Sequence, residues 1–436
     1  MRREFARALL DLGLAPLRAL DFMVQRRALL EELRALLDEP ARVEEPRPPR
    51  ELPQRPLEVF LSCAEASGEI HALNFVRAFE AACAERGAPR PVWFGLGGER
   101  TRDAGVELIE DLVSRATMGF DGVARALPFY LGVLERCAAR IRERRPDVVV
   151  LIDSPALHAP LGRIARRYGA RVVHFVTPQH WAWAPWRSQS YSHAVDRALS
   201  ILPFEPAWFA RRGVSVTHVG HPLLDQLPPM PAARDDGPAR LVLLPGSRSR
   251  VIELNLPWML RAAAQLRERR PELEVLVAHG DERRRHELAE RIAGARASDW
   301  ARVEIGSLHR TLAGARAALS VSGTVLLDLL HLRLPSVCIY RVASRRDIAM
   351  QRWLLSTPYF ASVNLLAGRE VFPEHCFRGR GPLEQVCDEL EARMFDAETR
   401  RTTRLGMERA AARLGPPGAC ARAAAVALEL AVSARP

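Results

Sequence analysis

The sequence predicts an α/β protein made of two doubly wound, Rossmann-like domains facing a central cleft, with an added N-terminal helical extension. Three observations predict it. From residue 57, short β-branched runs alternate with amphipathic helical stretches. A proline-rich break, QLPPMPAARDDGPAR (226–240), interrupts the alternation, and at residue 241 it restarts. Such alternation is the mark of a parallel sheet covered by helices on both faces. A chain of 436 residues has room for this, at about 100–200 residues per domain.

The elements follow in order. Residues 1–56 read as a helical extension and a Pro-rich linker. Leu29, Leu30, Leu33, Leu36 and Leu37 recur at helical spacing. Pro16 is expected to break this segment into two helices, an amphipathic hairpin that packs on its own body, on a second subunit or on a membrane. Prolines 40, 46, 48, 49, 53 and 56 then impose a stiff extended stretch. The first α/β domain (57–225) contains the runs LEVFLS (57–62), PVWFG (91–95), DVVVLID (147–153), RVVHFV (171–176), LSILP (199–203) and VTHVG (216–220). The second (241–395) contains LVLLPG (241–246), LEVLVAH (273–279), ALSVSG (318–323) and PSVCIY (335–340). Alanine- and arginine-rich helices close the chain over 396–436.

Composition narrows the function classes. The hydrophobic fraction is 48% and the charged fraction 26%, which excludes a disordered, collagenous or coiled-coil chain. The net charge is +11, and all 63 basic side chains are arginine. This surplus suits nucleic acid, an anionic surface or an anionic substrate without choosing among them. No arginine-aromatic interleaving suggests a nucleic-acid platform. The seven cysteines are scattered with no CxxC pair, as expected of reduced, buried thiols in a cytosolic protein. The twelve histidines form no HExxH pattern, so no metal site is expected. No leader sequence is apparent, and no apolar run reaches the length of a membrane span.

Ligands of open α/β sheets bind beyond the carboxyl ends of the strands, and four loops there stand out. Ser62–His71 follows the first strand and opens a helix. Its small residues, Ser67 and Gly68 among them, let backbone amides approach an anion, and Glu65 adds an acid. Asp153 closes DVVVLID. Partial burial strengthens a carboxylate as a base, although an Asp turn or helix cap would use the same residue. Pro245–Arg250 offers a tight turn at Gly246, the Ser247 hydroxyl and the Arg248 fork, a set suited to a diphosphate but without P-loop spacing. Ser322-Gly323-Thr324 lies between a strand and a helix, with Asp328 one turn on; helix capping would also explain it. Gly95–Gly98 reads as a turn. Trp181, Trp183 and Trp186 form an aromatic loop open to roles in a cleft wall, the core or lipid contact.

Taken together, these loops resemble the lipid A disaccharide synthase family, inverting glycosyltransferases of the B fold, over residues from about 57 to 380. Glu65–His71 (EASGEIH) resembles the family's EASGDIH, Gly95–Gly98 its GIGG, and Met118-Gly119 its MG pair. Ile152–Pro155 resembles the start of IDAPDFN, and Pro178–Trp183 is similar to SPSVWAW. Leu202–Glu205 and Gly220–Pro222 match LPFE and GHP. Leu244–Arg248 matches LPGSR, Ser322–Thr324 matches SGT, and Asn364–Glu370 matches NLLAGRE, followed by Pro373-Glu374. Three departures stand out. IDSPALH (152–158) lacks the second Asp and the Asn. Val251 stands where the family has Glu after PGSR, and Asp328 replaces the Glu after SGT.

The resemblance implies transfer of 2,3-diacylglucosamine from its UDP donor to 2,3-diacylglucosamine 1-phosphate, without a cofactor. Asp153 would be the base, Arg248 with the amides around Gly246 and Ser247 would stabilise the leaving diphosphate, and Glu65 would orient the acceptor. Ser67, Gly68, Ser322, Gly323, Thr324, Asp328 and Asn364 would bind substrate, Asn364 on the donor side. It also implies a cytoplasmic enzyme at the anionic inner face of the inner membrane, and it allows a homodimer. Two other readings remain open: a UDP-sugar epimerase or hydrolase on the same fold, and a non-catalytic paralogue that binds lipid or nucleotide sugar.

Overall fold

A computed structural model describes residues 2–40, 42–118, 123–227 and 239–433. The chain divides into two compact units: Met1–Arg27 with Glu39–Gln226 and Leu414–Pro436, and Ala28–Asp38 with Leu227–Arg413. Most of the 226–240 linker, and Gly119 of the MG pair, lie outside the described residues.

The first unit is built on seven strands: β1 (Glu58–Ser62), β2 (Val92–Gly97), β3 (Glu107–Asp111), β4 (Val148–Ile152), β5 (Arg171–Phe175), β6 (Arg197–Ser200) and β7 (Val216–His218). They form one sheet in the order β3-β2-β1-β4-β5-β6-β7, parallel throughout. β4 is buried along its whole length, as a central parallel strand covered on both faces must be. The core joins alternate strand residues such as Val59, Leu61, Val148 and Val150 to Phe75 and Phe79 of helix Ala66–Ala84. Ala423, Ala424 and Ala427 of the last helix, Ala419–Val432, complete it. Asp225 holds that helix by its first turn, its carboxylate accepting from the amides of Gly418 (2.6 Å), Ala419 (3.1 Å) and Cys420 (2.8 Å).

The second unit has six strands: β8 (Arg240–Leu244), β9 (Glu274–His279), β10 (Ala301–Ile305), β11 (Ala317–Val321), β12 (Ser336–Arg341) and β13 (Glu374–Phe377). Their order is β10-β9-β8-β11-β12-β13, again all parallel. Leu241, Leu243, Val277 and Leu319 pack against Leu256, Met259 and Leu266 of helix Ser249–Arg269.

Two differences from the sequence reading have physical causes. Pro16 does not break the extension: Arg2–Asp38 is one helix with the proline inside it. Contacts on both sides of Pro16 offset the lost hydrogen bond. Buried Glu4 takes Arg163 (2.7 Å) and Arg167 (2.9 Å), and Phe22 meets Trp186 edge to face at 5.7 Å. The sequence reading also omits β3, β10 and β13, which occupy the sheet edges. Edge strands are half-solvated, so ELIED, ARVEI and EHCF carry polar residues where a central strand would be continuously apolar.

The Pro-rich segment is tied down rather than free. The Glu44 amide donates to the His218 carbonyl at 2.9 Å and its carboxylate accepts from the His218 amide at 3.3 Å, and Arg86 donates to the Pro49 carbonyl at 2.9 Å.

Candidate functional site

In each sheet the chain starts at a central strand, runs to one edge, then returns and continues to the other. The reversal falls between β1 and β4 in the first unit and between β8 and β11 in the second. At such a switch point the flanking loops turn apart and leave a crevice beyond the carboxyl ends. The four loops singled out in the sequence are those that leave β1, β4, β8 and β11.

At the first switch point, the turn after β1 feeds helix Ala66–Ala84. Glu65 is its N-cap, makes no capping hydrogen bond and is exposed. Ser67 is exposed and Gly68 buried; a Cβ on Gly68 would lie 3.8 Å from the Ile152 carbonyl at the end of β4. Glu69 turns inward and accepts from the Thr101 amide at 3.1 Å. The Gly95–Gly98 segment is therefore more than a turn: a Cβ on Gly98 would come within 2.6 Å of that Glu69 oxygen. Burial pushes the neighbouring Cys63 thiol up to about 12, which leaves it protonated and inert as a nucleophile.

Asp153 is half-buried, and no side chain among the described residues pairs with its carboxylate. Its backbone is unusual. Asp153 (φ 57°) and Ser154 (φ 44°) are consecutive left-handed residues, and Val176 (φ 69°), just past the adjoining β5, is another. A β-branched residue at positive φ is a true outlier, and strain of this kind collects at functional sites.

The second switch point is formed in the same way. Gly246 sits at φ 103°, and a Cβ there would lie 2.8 Å from Val251 Cγ1 and 3.1 Å from Val321 Cγ2, so only glycine fits the turn. Ser247 and Arg248 are exposed, Arg248 being the N-cap of the 21-residue helix Ser249–Arg269. A helix start with free amides and a guanidinium is an anion site in chemical terms.

Ser322 leaves β11 and donates to the Phe360 carbonyl at 2.9 Å, while Gly323 and Thr324 are exposed. Asp328 accepts from His309 at 2.8 Å, and burial raises its pKa against that bond.

Asn364 differs most from expectation, which placed it against the donor. It is fully buried, its oxygen accepting from the amides of Val371 (2.8 Å) and Phe372 (2.9 Å). Its amide group donates to the Phe372 carbonyl (2.7 Å) and to Glu374 (3.1 Å). With every position used, its side chain shapes the 360–374 loop. Glu374 joins it by accepting from the Ala361 amide at 2.8 Å, and burial pushes Glu374 up to about 7.

The aromatic loop divides. Trp181 is core, donating to buried Glu205 at 3.0 Å, whereas Trp183 is 43% exposed.

Sequence reasoning missed His158, His174 and Tyr191, which are buried beneath Asp153. A histidine inside the apolar run RVVHFV was the available signal.

The first unit buries several histidines whose neutral form burial favours. Burial pushes His158, His180 and His221 down to about 3 and His218 to about 4. Each binds its proton more readily in the unfolded chain, from an ordinary value of 6.5 downward. Stability present at neutral pH is therefore lost as pH falls from there. Glu205, pushed by burial up to about 7, acts oppositely: its cost holds above that pH and is relieved on acidification. Glu374, also pushed up to about 7, acts with Glu205, and the four histidines outweigh the two carboxylates. The urea midpoint followed by tryptophan fluorescence should be lower at about pH 5 than at about pH 7.5; an equal or higher midpoint would count against these assignments.

Residues 59–428 match the model of the family described as lipid-A-disaccharide synthetase. The lipid-A-disaccharide synthase of Myxococcus xanthus is 34% identical, covering 86% of this chain and 98% of the relative. That of Syntrophus aciditrophicus is 33% identical, covering 85% and 97%. Among solved structures, the S. aureus MnaA–UDP co-structure has a TM-score of 0.54 at 12% identity, covering 84% of this chain and 94% of that one. CalG4, the calicheamicin glycosyltransferase, reaches 0.50 at 16%, covering 84% and 97%. These two share the fold alone. Identity with the synthases at this level, along nearly their whole length, places the chain in the lipid-A-disaccharide synthase family.

Proposed function

We propose that this chain transfers 2,3-diacylglucosamine from UDP-2,3-diacylglucosamine to the 6-hydroxyl of 2,3-diacylglucosamine 1-phosphate, giving the β-1,6-linked disaccharide 1-phosphate and UDP. One observation carries the reading: the family motifs fall on the switch points of both sheets, with an unpaired carboxylate at the first and a glycine-arginine turn at the second.

Asp153 takes the acceptor hydroxyl proton as the oxygen attacks the anomeric carbon opposite UDP. Arg248 and the amides around Gly246 and Ser247 receive the charge that develops on the departing diphosphate. Glu65, exposed beside the same crevice as Asp153, orients the acceptor. Ser322 and Asn364 serve the donor side by fixing the 360–374 loop. The test is UDP release by purified protein with and without the acceptor, in the presence of EDTA. Acceptor-dependent release supports the synthase. Release without acceptor would favour a hydrolase or epimerase, and binding without turnover a silent paralogue.

The same reading includes peripheral docking on an anionic leaflet. The net charge of +11 favours it. So does the exposed stripe of Leu10, Leu17, Leu20 and Val24 on helix Arg2–Asp38, each at least 60% exposed; no described helix is long and apolar enough to cross a membrane. Cosedimentation with anionic vesicles should be strong at low salt, weaken as salt screens the charges, and drop on Leu17→Glu. Equal recovery with neutral vesicles would refute the electrostatic part.

A further inference from the structure

Beneath Asp153 lies a chain of four buried polar side chains. The Asp153 backbone carbonyl faces His158 Nδ1 at 2.5 Å and His174 Nε2 at 2.8 Å. A carbonyl can only accept, so both of these ring nitrogens carry hydrogen. Ser62 Oγ lies 2.8 Å from His158 Nε2, and the Tyr191 hydroxyl 2.8 Å from His174 Nδ1. With both rings neutral, each hydroxyl donates to the ring nitrogen it meets, and this fixes the tautomers. Burial favours the neutral form of both rings. The rings stand edge to face, 5.7 Å between centroids, and none of the four side chains is more than 1% exposed. The Asp153 amide donates to the Phe175 carbonyl at 2.9 Å.

The left-handed conformation is disfavoured for residues other than glycine, and two such residues stand here in succession. A carbonyl with two donors, set in a rigid buried frame, keeps the turn in that conformation. The carboxylate, by contrast, makes no hydrogen bond or ion pair among the described residues, its charge acting only at longer range on His71 and His174. Its direction is thus set through its own backbone. His158 also occupies the place where the family motif that IDSPALH resembles has Asn, so one of the two donors is a departure of this chain.

We propose that His158 and His174 are positioning residues for the base: their paired N–H donation to the Asp153 carbonyl holds the left-handed turn that presents the carboxylate, and Ser62 and Tyr191 hold the two rings in the donating tautomers. This rests on the reading of Asp153 as the base. Misplacing a reacting group by about 1 Å can cost roughly 100-fold in rate, and the clamp acts on that distance.

The test compares kcat and KM for acceptor-dependent UDP release in His158→Leu, His158→Asn, Tyr191→Phe and Ser62→Ala, with Asp153→Asn alongside. His158→Leu is expected to lower kcat by about 10–100-fold with KM for both substrates little changed. His158→Asn, whose amide can still donate, should recover most of the loss. Tyr191→Phe and Ser62→Ala keep the packing volume and release only the tautomers. They should lower kcat several-fold, and they keep the proposal testable if the leucine variant does not fold. Unchanged kcat in these conservative variants, with Asp153→Asn inactive, overturns the clamp and leaves the base in place. Failure of Asn to restore a folded leucine variant's loss, or KM rising in step with the fall in kcat, also overturns it, because the histidine would then only support the fold. An active Asp153→Asn overturns the underlying reading instead.

Discussion

Asp153→Asn is expected to lower kcat for acceptor-dependent UDP release by about 10²–10⁴-fold, the usual contribution of a positioned base. Asparagine is the sharper probe because it tolerates the left-handed backbone that Asp153 adopts at φ 57°. It keeps the carbonyl that His158 and His174 clamp and removes only the basicity. Alanine loses the base as well but adds backbone strain, so its larger effect would mix two causes. Folding and UDP binding should be unchanged in the asparagine variant. Near wild-type turnover would mean that another group takes the proton, with Glu65 the first to examine.

Arg248→Ala should cost roughly 10²–10³-fold in kcat/KM, the scale seen when a preorganised donor to developing charge is removed. Arg248 is exposed at the start of helix Ser249–Arg269, and surface substitutions of this kind usually leave stability within about 0.5 kcal/mol. The effect should therefore appear in catalysis and in UDP affinity, with the melting temperature unmoved. Arg248→Lys restores the charge without the planar fork, so only partial recovery is expected. Full activity in Arg248→Ala would remove the guanidinium from the account and leave the helix amides alone with the diphosphate.

The central strands were legible because burial on both faces writes them as continuous apolar runs, DVVVLI and LVLL being the clearest. Three of the four edge strands were not, since half-solvated ELIED, ARVEI and EHCF carry no such signature. Pro16 misled because local propensity was outweighed by contacts distant in sequence, Glu4 to Arg163 and Arg167. In the site, the loops could be read because strand-to-helix turns with small residues announce themselves. What sequence could not show is how a side chain spends its hydrogen bonds. Asn364 looks like a ligand-facing amide but is fully used within its own loop. His158 looks like the loss of a motif residue, yet in space it meets the backbone carbonyl of Asp153 in the same motif.

The proposed reaction is a single displacement on the donor sugar, with Asp153 drawing the acceptor proton from the side opposite UDP. The anomeric configuration of the disaccharide product, read by NMR from the proton coupling at the new linkage, tests it most directly. A β-linkage to the 6-position, inverted from the α-configured donor, is expected. An α-linkage would require retention, which a single displacement cannot give, and would contradict the assignment of Asp153.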